Sequence, residues 1–235
     1  MPRSLRLTER HIAKTHRDIP DPGPMLVAGF RPAEEADYAA ELDRLLAAAP
    51  TPGDIWVFGY GSLIWNPCYP FTEQRTGQVH GWHRSFTLGW DYRFRGTRDN
   101  PGLMLAIDRG GRCTGVVHRL APATARKNLD ALLRREMSMV PTAFPGRWIK
   151  VKTAPGPVWA LTFAMDRKSP RYIGGLSPEA TAEILAKACG FRGSMAAYLL
   201  ATVSHLEQLG LHDRYLWQLQ DMVADRIDAM FGVDP

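Results

Sequence analysis

Between Ile55 and Met165 the chain carries six short runs rich in β-branched and aromatic residues: 55–58, 79–90, 103–107, 113–119, 148–152 and 158–165. Gly, Pro and charged turns separate them. Nothing else in the sequence restricts the fold as strongly. Strands this short and this numerous expose unpaired edges unless the sheet curls or closes on itself. The pattern therefore predicts a barrel or a strongly curved sheet, with Arg109-Gly-Gly-Arg112 as a hairpin loop between two of its strands. A helix interrupts the series from about Pro122 to Met137, and three more close the chain. Ser177-Pro178, Ser194 and Asp213 read as their starts, and Gly190, Gly210 and Gly232 as their stops. The class is α+β.

Residues 1–53 differ in character. Arg3, Arg6, Arg10, Lys14 and Arg17 precede Pro20, Pro22, Gly23 and Pro24, which reads as a mobile surface arm. A short amphipathic helix follows over 32–49, with Leu42, Leu45 and Leu46 on one side. The expected division is an arm with a helix over 1–53 and one domain over 54–232.

Composition removes whole classes. With 45% hydrophobic and 23% charged residues the chain builds an ordinary core, which excludes a disordered or collagen-like protein. The longest aliphatic stretch, Met195 to Val203, is about half a membrane span, and no signal-peptide core opens the chain, so no membrane partner is expected. Cys68, Cys113 and Cys189 form neither a disulfide framework nor a zinc knuckle, which points to a reducing compartment, the cytoplasm by default. The net charge of +5 favours an anionic partner without choosing among nucleic acid, acidic lipid and a small polycarboxylate.

Three segments carry candidate chemistry. In Phe58-Gly-Tyr-Gly-Ser-Leu-Ile-Trp65, Gly59 and Gly61 flank Tyr60, so the backbone can turn sharply and present N–H groups to an anion. A tight turn with a packed tyrosine explains the same residues. It is no dinucleotide fingerprint, because position 64 is isoleucine, and no nucleophile elbow, because Ser62 lacks the flanking glycines at two residues' distance. The second segment is a helix face, Leu129, Leu132, Leu133 and position 136, which is glutamate. A carboxylate on that stripe loses hydration and gains pKa, which suits proton transfer; the alternative is a glutamate at the edge of the face, paired with Arg134 or Arg135. The third, Trp82 to Arg95, interleaves aromatic and basic residues that could stack bases or simply pack one sheet face, and packing is the stronger reading. His80 and His83 have no further ligands at metal spacing, and Cys68 has no evident base beside it.

Tyr60-Gly-Ser-Leu-Ile-Trp65 with Asn66-Pro67 resembles the signature loop of the ChaC-type γ-glutamylcyclotransferases. The likeness continues in order through Gly77, Gly81 to Phe86, Arg95-Gly-Thr97, Pro101-Gly102 and Gly115-Val-Val117. It then takes in Arg135-Glu-Met137, Asp166, Tyr172-Ile-Gly174, Tyr198-Leu199, Leu209-Gly-Leu211 and Asp213, roughly residues 54–230 in all. The resemblance implies a small mixed β-barrel with peripheral helices. It implies that the α-amine of a γ-glutamyl group attacks its own γ-carbonyl, closing to 5-oxoproline. For glutathione the departing piece is cysteinylglycine.

By the same resemblance Glu136 is the general base and acid. Tyr60, Gly61, Ser62, Leu63, Ile64 and Trp65 hold the γ-glutamyl end, and Tyr172 lines the pocket. No metal, cofactor or nucleic acid is called for; the partner is a small molecule. Two positions depart from the family pattern. Leu103 stands where members often have arginine, which leaves Arg84, Arg93 and Arg95 as candidates for holding a substrate carboxylate, and Ser138 to Val140 replace a glycine shortly after Glu136. Other γ-glutamyl peptides or amines, and a non-enzymatic basic binding or regulatory protein, are the alternative readings.

Overall fold

A computed structural model describes residues 4–24 and 27–232. The described parts of Leu26–Ser85 and Ala106–Pro170 form one compact unit, and those of Met1–Met25, Phe86–Leu105 and Arg171–Pro235 form a second.

The first unit is built on a closed five-stranded barrel in the order β2-β4-β3-β6-β7. Its strands are β2 (Trp56–Gly59), β3 (Glu73–Asp91), β4 (Gly102–Arg119), β6 (Gly146–Thr153) and β7 (Gly156–Phe163). β2 runs antiparallel to β4, with Trp56 opposite Arg119 and Gly59 opposite Val116. β6 and β7 form a hairpin from Gly146–Phe163 to Thr153–Gly156. Parallel pairing of Trp56 with Ala160 and Val57 with Leu161 closes the ring. Phe58, Val116, Val117, Val151 and Leu161 of these strands are all fully buried. β1 (Arg31–Pro32) pairs with β5 (Met139–Val140) in a separate two-residue ladder.

Two of the runs expected as separate strands are one. β4 is continuous, so Arg109–Arg112 is no hairpin loop. Gly110 and Gly111 adopt φ of +106° and +64°, left-handed values open to glycine, and bend a strand that goes on. His83 of β3 lies alongside, its Nδ1 3.2 Å from the Gly110 carbonyl. Six runs thus give five strands.

Two helices belong to this unit, α2 (Glu35–Ala47) and α3 (Ala125–Glu136). α2 buries Leu42 and Leu45, and the Trp148 indole N–H donates to the Leu45 carbonyl at 3.0 Å. α3 buries Leu129, Leu132 and Leu133, the stripe read from the sequence.

The second unit is mainly helical, with α1 (Glu9–Thr15), α4 (Pro178–Lys187), α5 (Met195–Gln208) and α6 (Arg214–Phe231). The expected caps are present: Ser177, Ser194 and Asp213 accept hydrogen bonds from the N–H groups of Ala180, Ala197 and Leu216. A two-residue ladder, β8 (Cys189–Gly190) with β9 (Gly193–Ser194), joins α4 to α5. The amino-terminal segment is docked rather than free. Leu7 is fully buried, and the buried Gln220 side chain of α6 accepts from the N–H groups of Arg6 and Leu7 at 3.0 and 2.9 Å. The end of β3 from Phe86 and the start of β4 up to Leu105 fall in this unit, where Phe86 meets Tyr198 edge-on at 6.3 Å. This aromatic of the 82–95 stretch packs, as expected.

One glycine of the barrel is fixed by a close approach. A Cβ on Gly115 would lie 2.3 Å from the Gly59 carbonyl oxygen and about 3 Å from the Phe58 ring. Gly115→Ala should therefore lower unfolding free energy by about 1–3 kcal/mol, the usual cost of overpacking, read as an earlier urea midpoint.

Candidate active site

Chain direction changes abruptly where β2 ends. Gly59 packs so tightly that a Cβ there would be 3.1 Å from the Leu63 Cβ. Ser62–Ile64 then form a single 3-10 turn, with the Ile64 N–H donating to the Gly61 carbonyl at 2.9 Å and the Asn66 N–H to the Ser62 carbonyl at 2.8 Å. Such a turn leaves its first N–H groups, those of Ser62 and Leu63, outside its own ladder.

The side chains of the loop serve mostly as anchors. Tyr60 is buried and its hydroxyl donates to the Phe163 carbonyl at 3.0 Å. Leu63 and Ile64 are buried as well, while Ser62 and Trp65 are partly exposed. From β3 the buried Arg84 donates to the Tyr60 carbonyl at 2.6 Å and to the Thr114 carbonyl at 2.7 Å. A guanidinium bound to two backbone carbonyls holds the corner from beneath.

Glu136 is the last residue of α3 and continues its buried stripe, with 17% of its side chain exposed. Burial pushes its carboxyl above the ordinary value of 4.5, and the neighbouring Arg135 cation acts in the opposite sense. The Arg135 Nε stands 3.5 Å from a Glu136 carboxylate oxygen. The same guanidinium donates to the Ser62 hydroxyl at 2.8 Å and to the Asn66 carbonyl. Arg135 thus ties Glu136 to the loop that begins at Tyr60. The glutamate lies on the stripe with most of its side chain covered, and its carboxylate is paired with Arg135.

Two neighbours have no role assigned from sequence: Cys68 is set aside there for want of a base, and Tyr69 is passed over. Cys68 is exposed on the loop, its thiol pushed up by desolvation, with Arg135 lowering and Glu136 raising it. Tyr69 is buried, and burial raises its phenol, with a smaller contribution from Glu136. Residues 68–69 carry no motif, and only the fold brings them near Glu136. Among the described residues, no three His, Cys, Asp or Glu side chains converge as a metal site.

Tyr172 belongs to the helical unit. It bridges to Leu88, and the Ile173 N–H donates to the Thr87 carbonyl at 2.8 Å. Its ring lies where a Cβ on Gly174 would stand, 2.5 Å from the hydroxyl, so the glycine of Tyr172-Ile-Gly174 makes room for the tyrosine. In the same unit Asp91 accepts from the N–H groups of Arg93, Phe94 and Arg95, and shapes that loop. The Arg93 guanidinium is paired with Asp21 at 2.7 and 2.8 Å, and that of Arg95 lies over Tyr198 at 5.6 Å.

A turn rich in N–H donors, tied by an arginine to a carboxyl of raised pKa, is equipped to hold an anionic or carbonyl group and move a proton beside it. The profile of the ChaC-like protein family matches residues 55–226. The chain belongs to the ChaC-like family. The glutathione-specific γ-glutamylcyclotransferase of Escherichia coli K12 is 40% identical over 176 residues, 74% of this chain and 75% of the relative. Glutathione-specific γ-glutamylcyclotransferase 1 of Homo sapiens is 30% identical over 177 residues, 73% of this chain and 79% of the relative. A yeast γ-glutamyl cyclotransferase specific to glutathione has a similar structure, with a TM-score of 0.67 at 21% identity, over 74% of this chain and 96% of that one. That likeness bears on the fold alone. The α+β barrel architecture read from the strand series is the architecture found. The docked segment 4–24 lies outside the ChaC-like match.

The environment of Glu136 has a measurable consequence in this ChaC-like chain. Its folded-state pKa lies above the unfolded value of 4.5, so in that window the native state binds more protons and stability falls as pH rises. Glu136→Gln removes the ionisation. The variant should be more stable than wild type at pH 7, with the gain vanishing below the ordinary glutamate value, as read from urea midpoints across pH.

Proposed function

We propose that this protein is a γ-glutamylcyclotransferase acting on glutathione. The substrate's own α-amine nitrogen attacks its γ-carbonyl carbon, a five-membered lactam closes, and the cysteinyl nitrogen departs. The products are 5-oxoproline and cysteinylglycine, with no water consumed. The observation that carries the reading is the buried Glu136 carboxyl, joined through Arg135 to the Ser62–Asn66 turn.

The chemistry makes three demands. Nucleophile and electrophile sit in one molecule, so freezing the ring-closing conformer supplies much of the acceleration. In this reading the loop from Tyr60 to Trp65 holds the γ-glutamyl end through backbone N–H groups. Negative charge grows on the γ-carbonyl oxygen during attack, and a fixed N–H donor aimed there is worth about 3 kcal/mol. A proton must leave the ammonium and reach the departing nitrogen. Glu136, with its carboxyl raised by burial, takes the first and returns it in the second step.

Three free cysteines support a reducing setting such as the cytoplasm. The protein needs neither nucleic acid nor a membrane for this reaction, and among the described residues no helix is long and apolar enough to cross one. Leu103, which replaces an arginine common in the family, is fully buried, so it offers nothing to a substrate carboxylate. That favours a second reading, in which other γ-glutamyl peptides or amines are accepted.

Purified protein incubated with glutathione should yield 5-oxoproline and cysteinylglycine in equal amounts. Glu136→Gln should keep its circular dichroism and lose about 10²–10⁴-fold in kcat, the range for removing a general base. An active Gln variant would remove Glu136 from the mechanism. Turnover of γ-glutamyl amines alone would move the substrate class.

A further inference from the structure

Arg135 precedes Glu136 on the last turn of α3, and its guanidinium engages three groups. One terminal nitrogen donates to the Asn66 carbonyl, the other to the Ser62 hydroxyl at 2.8 Å, and Nε faces the Glu136 carboxylate at 3.5 Å. Ser62 and Asn66 are the two ends of one turn, because the Asn66 N–H donates to the Ser62 carbonyl. The guanidinium therefore closes a bracket around that turn and presents its remaining edge to the carboxylate.

α3 alone does not fix Glu136. The residue ends its helix, helix ends fray, and no further turn follows to hold the side chain. We propose that Arg135 is the positioning residue of the cyclisation, its planar fork locking the Glu136 carboxylate in one register against the Ser62–Asn66 turn. The inference rests on the reading of Glu136 as acid and base. It also gives Ser62 a task, as the hydroxyl acceptor that steadies the fork. A lysine could supply the charge but not the two parallel donors with a third edge.

The ionisable groups acting around Glu136 are Arg135, Cys68 and Tyr69. Burial pushes the Cys68 thiol and the Tyr69 phenol up, so both are neutral near pH 7. Arg135 is then the charge that opposes the effect of burial on the carboxyl. Its removal has a predictable sign: the Glu136 titration moves further up.

The test compares wild type, Arg135→Met and Arg135→Lys by steady-state turnover of glutathione and by carbon-detected NMR titration of the Glu136 carboxyl, with Glu136→Gln for assignment. Arg135→Met should lose about 100-fold in kcat, the scale of a small misplacement of a reacting group, while KM changes little, and its Glu136 midpoint should rise. Arg135→Lys should restore the midpoint and recover only part of kcat. An Arg135→Met enzyme with wild-type kcat and midpoint overturns the proposal. A loss confined to KM does so too, since it makes Arg135 a substrate contact, and so does full recovery by lysine. If Arg135→Met does not fold, Arg135→Lys decides alone: reduced kcat supports, wild-type kcat overturns. Should wild type turn over no γ-glutamyl compound, the functional reading fails by itself. The titration then still decides, a risen midpoint in Arg135→Met supporting the lock and an unmoved one overturning it.

Discussion

Parallel pairing of β2 with β7 closes the barrel, and the candidate site follows from that closure. With its other edge on β4, the short strand Trp56–Gly59 is paired on both sides and cannot drift. Its end at Gly59 is therefore a fixed point from which the chain must turn. Close contacts at Gly59 and Gly115 leave one route, and the hydrogen bonds of Tyr60 and Arg84 hold it. A loop built this way presents backbone N–H groups in a preset arrangement. That is what a site needs if it must grip a carbonyl oxygen more tightly as charge develops on it.

The carboxylate opposite comes from a place where a helix tolerates it poorly. A carboxylate at a helix C-terminus faces the negative end of the macrodipole, and partial burial adds to the cost of ionisation. Arg134 and Arg135 occupy the last turn with Glu136 and take different partners. Arg134 turns outward to Glu35 and Asp130, joining α3 to α2. Arg135 turns inward to the loop and to Glu136 itself. The balance leaves the carboxyl raised, the direction that suits the proposed role of taking and giving a proton.

How much of this was legible in the sequence depended on range. Helix starts at Ser177, Ser194 and Asp213 were readable because a cap acts on the next three residues. Glu136 on the leucine stripe was readable because helical period places it there. The Arg109–Arg112 segment misled for the same local reason: Gly-Gly signals a turn, yet a long partner strand carries the chain onward through a bend. Docking of the amino-terminal segment depends on Gln220, more than two hundred residues away, and no local pattern announces it. Likewise the bracket made by Arg135 uses a backbone carbonyl at Asn66, which any residue there would supply.

The central claim is that a partly buried, raised carboxyl at Glu136 moves the proton in glutathione cyclisation. The pH dependence of kcat/KM for wild type tests it most directly, because its acid limb reports the free enzyme's essential base. The account predicts activity that falls toward acid through a single titration centred above the ordinary glutamate value of 4.5. Activity that stays level down to that value, or a limb centred below it, would contradict the account.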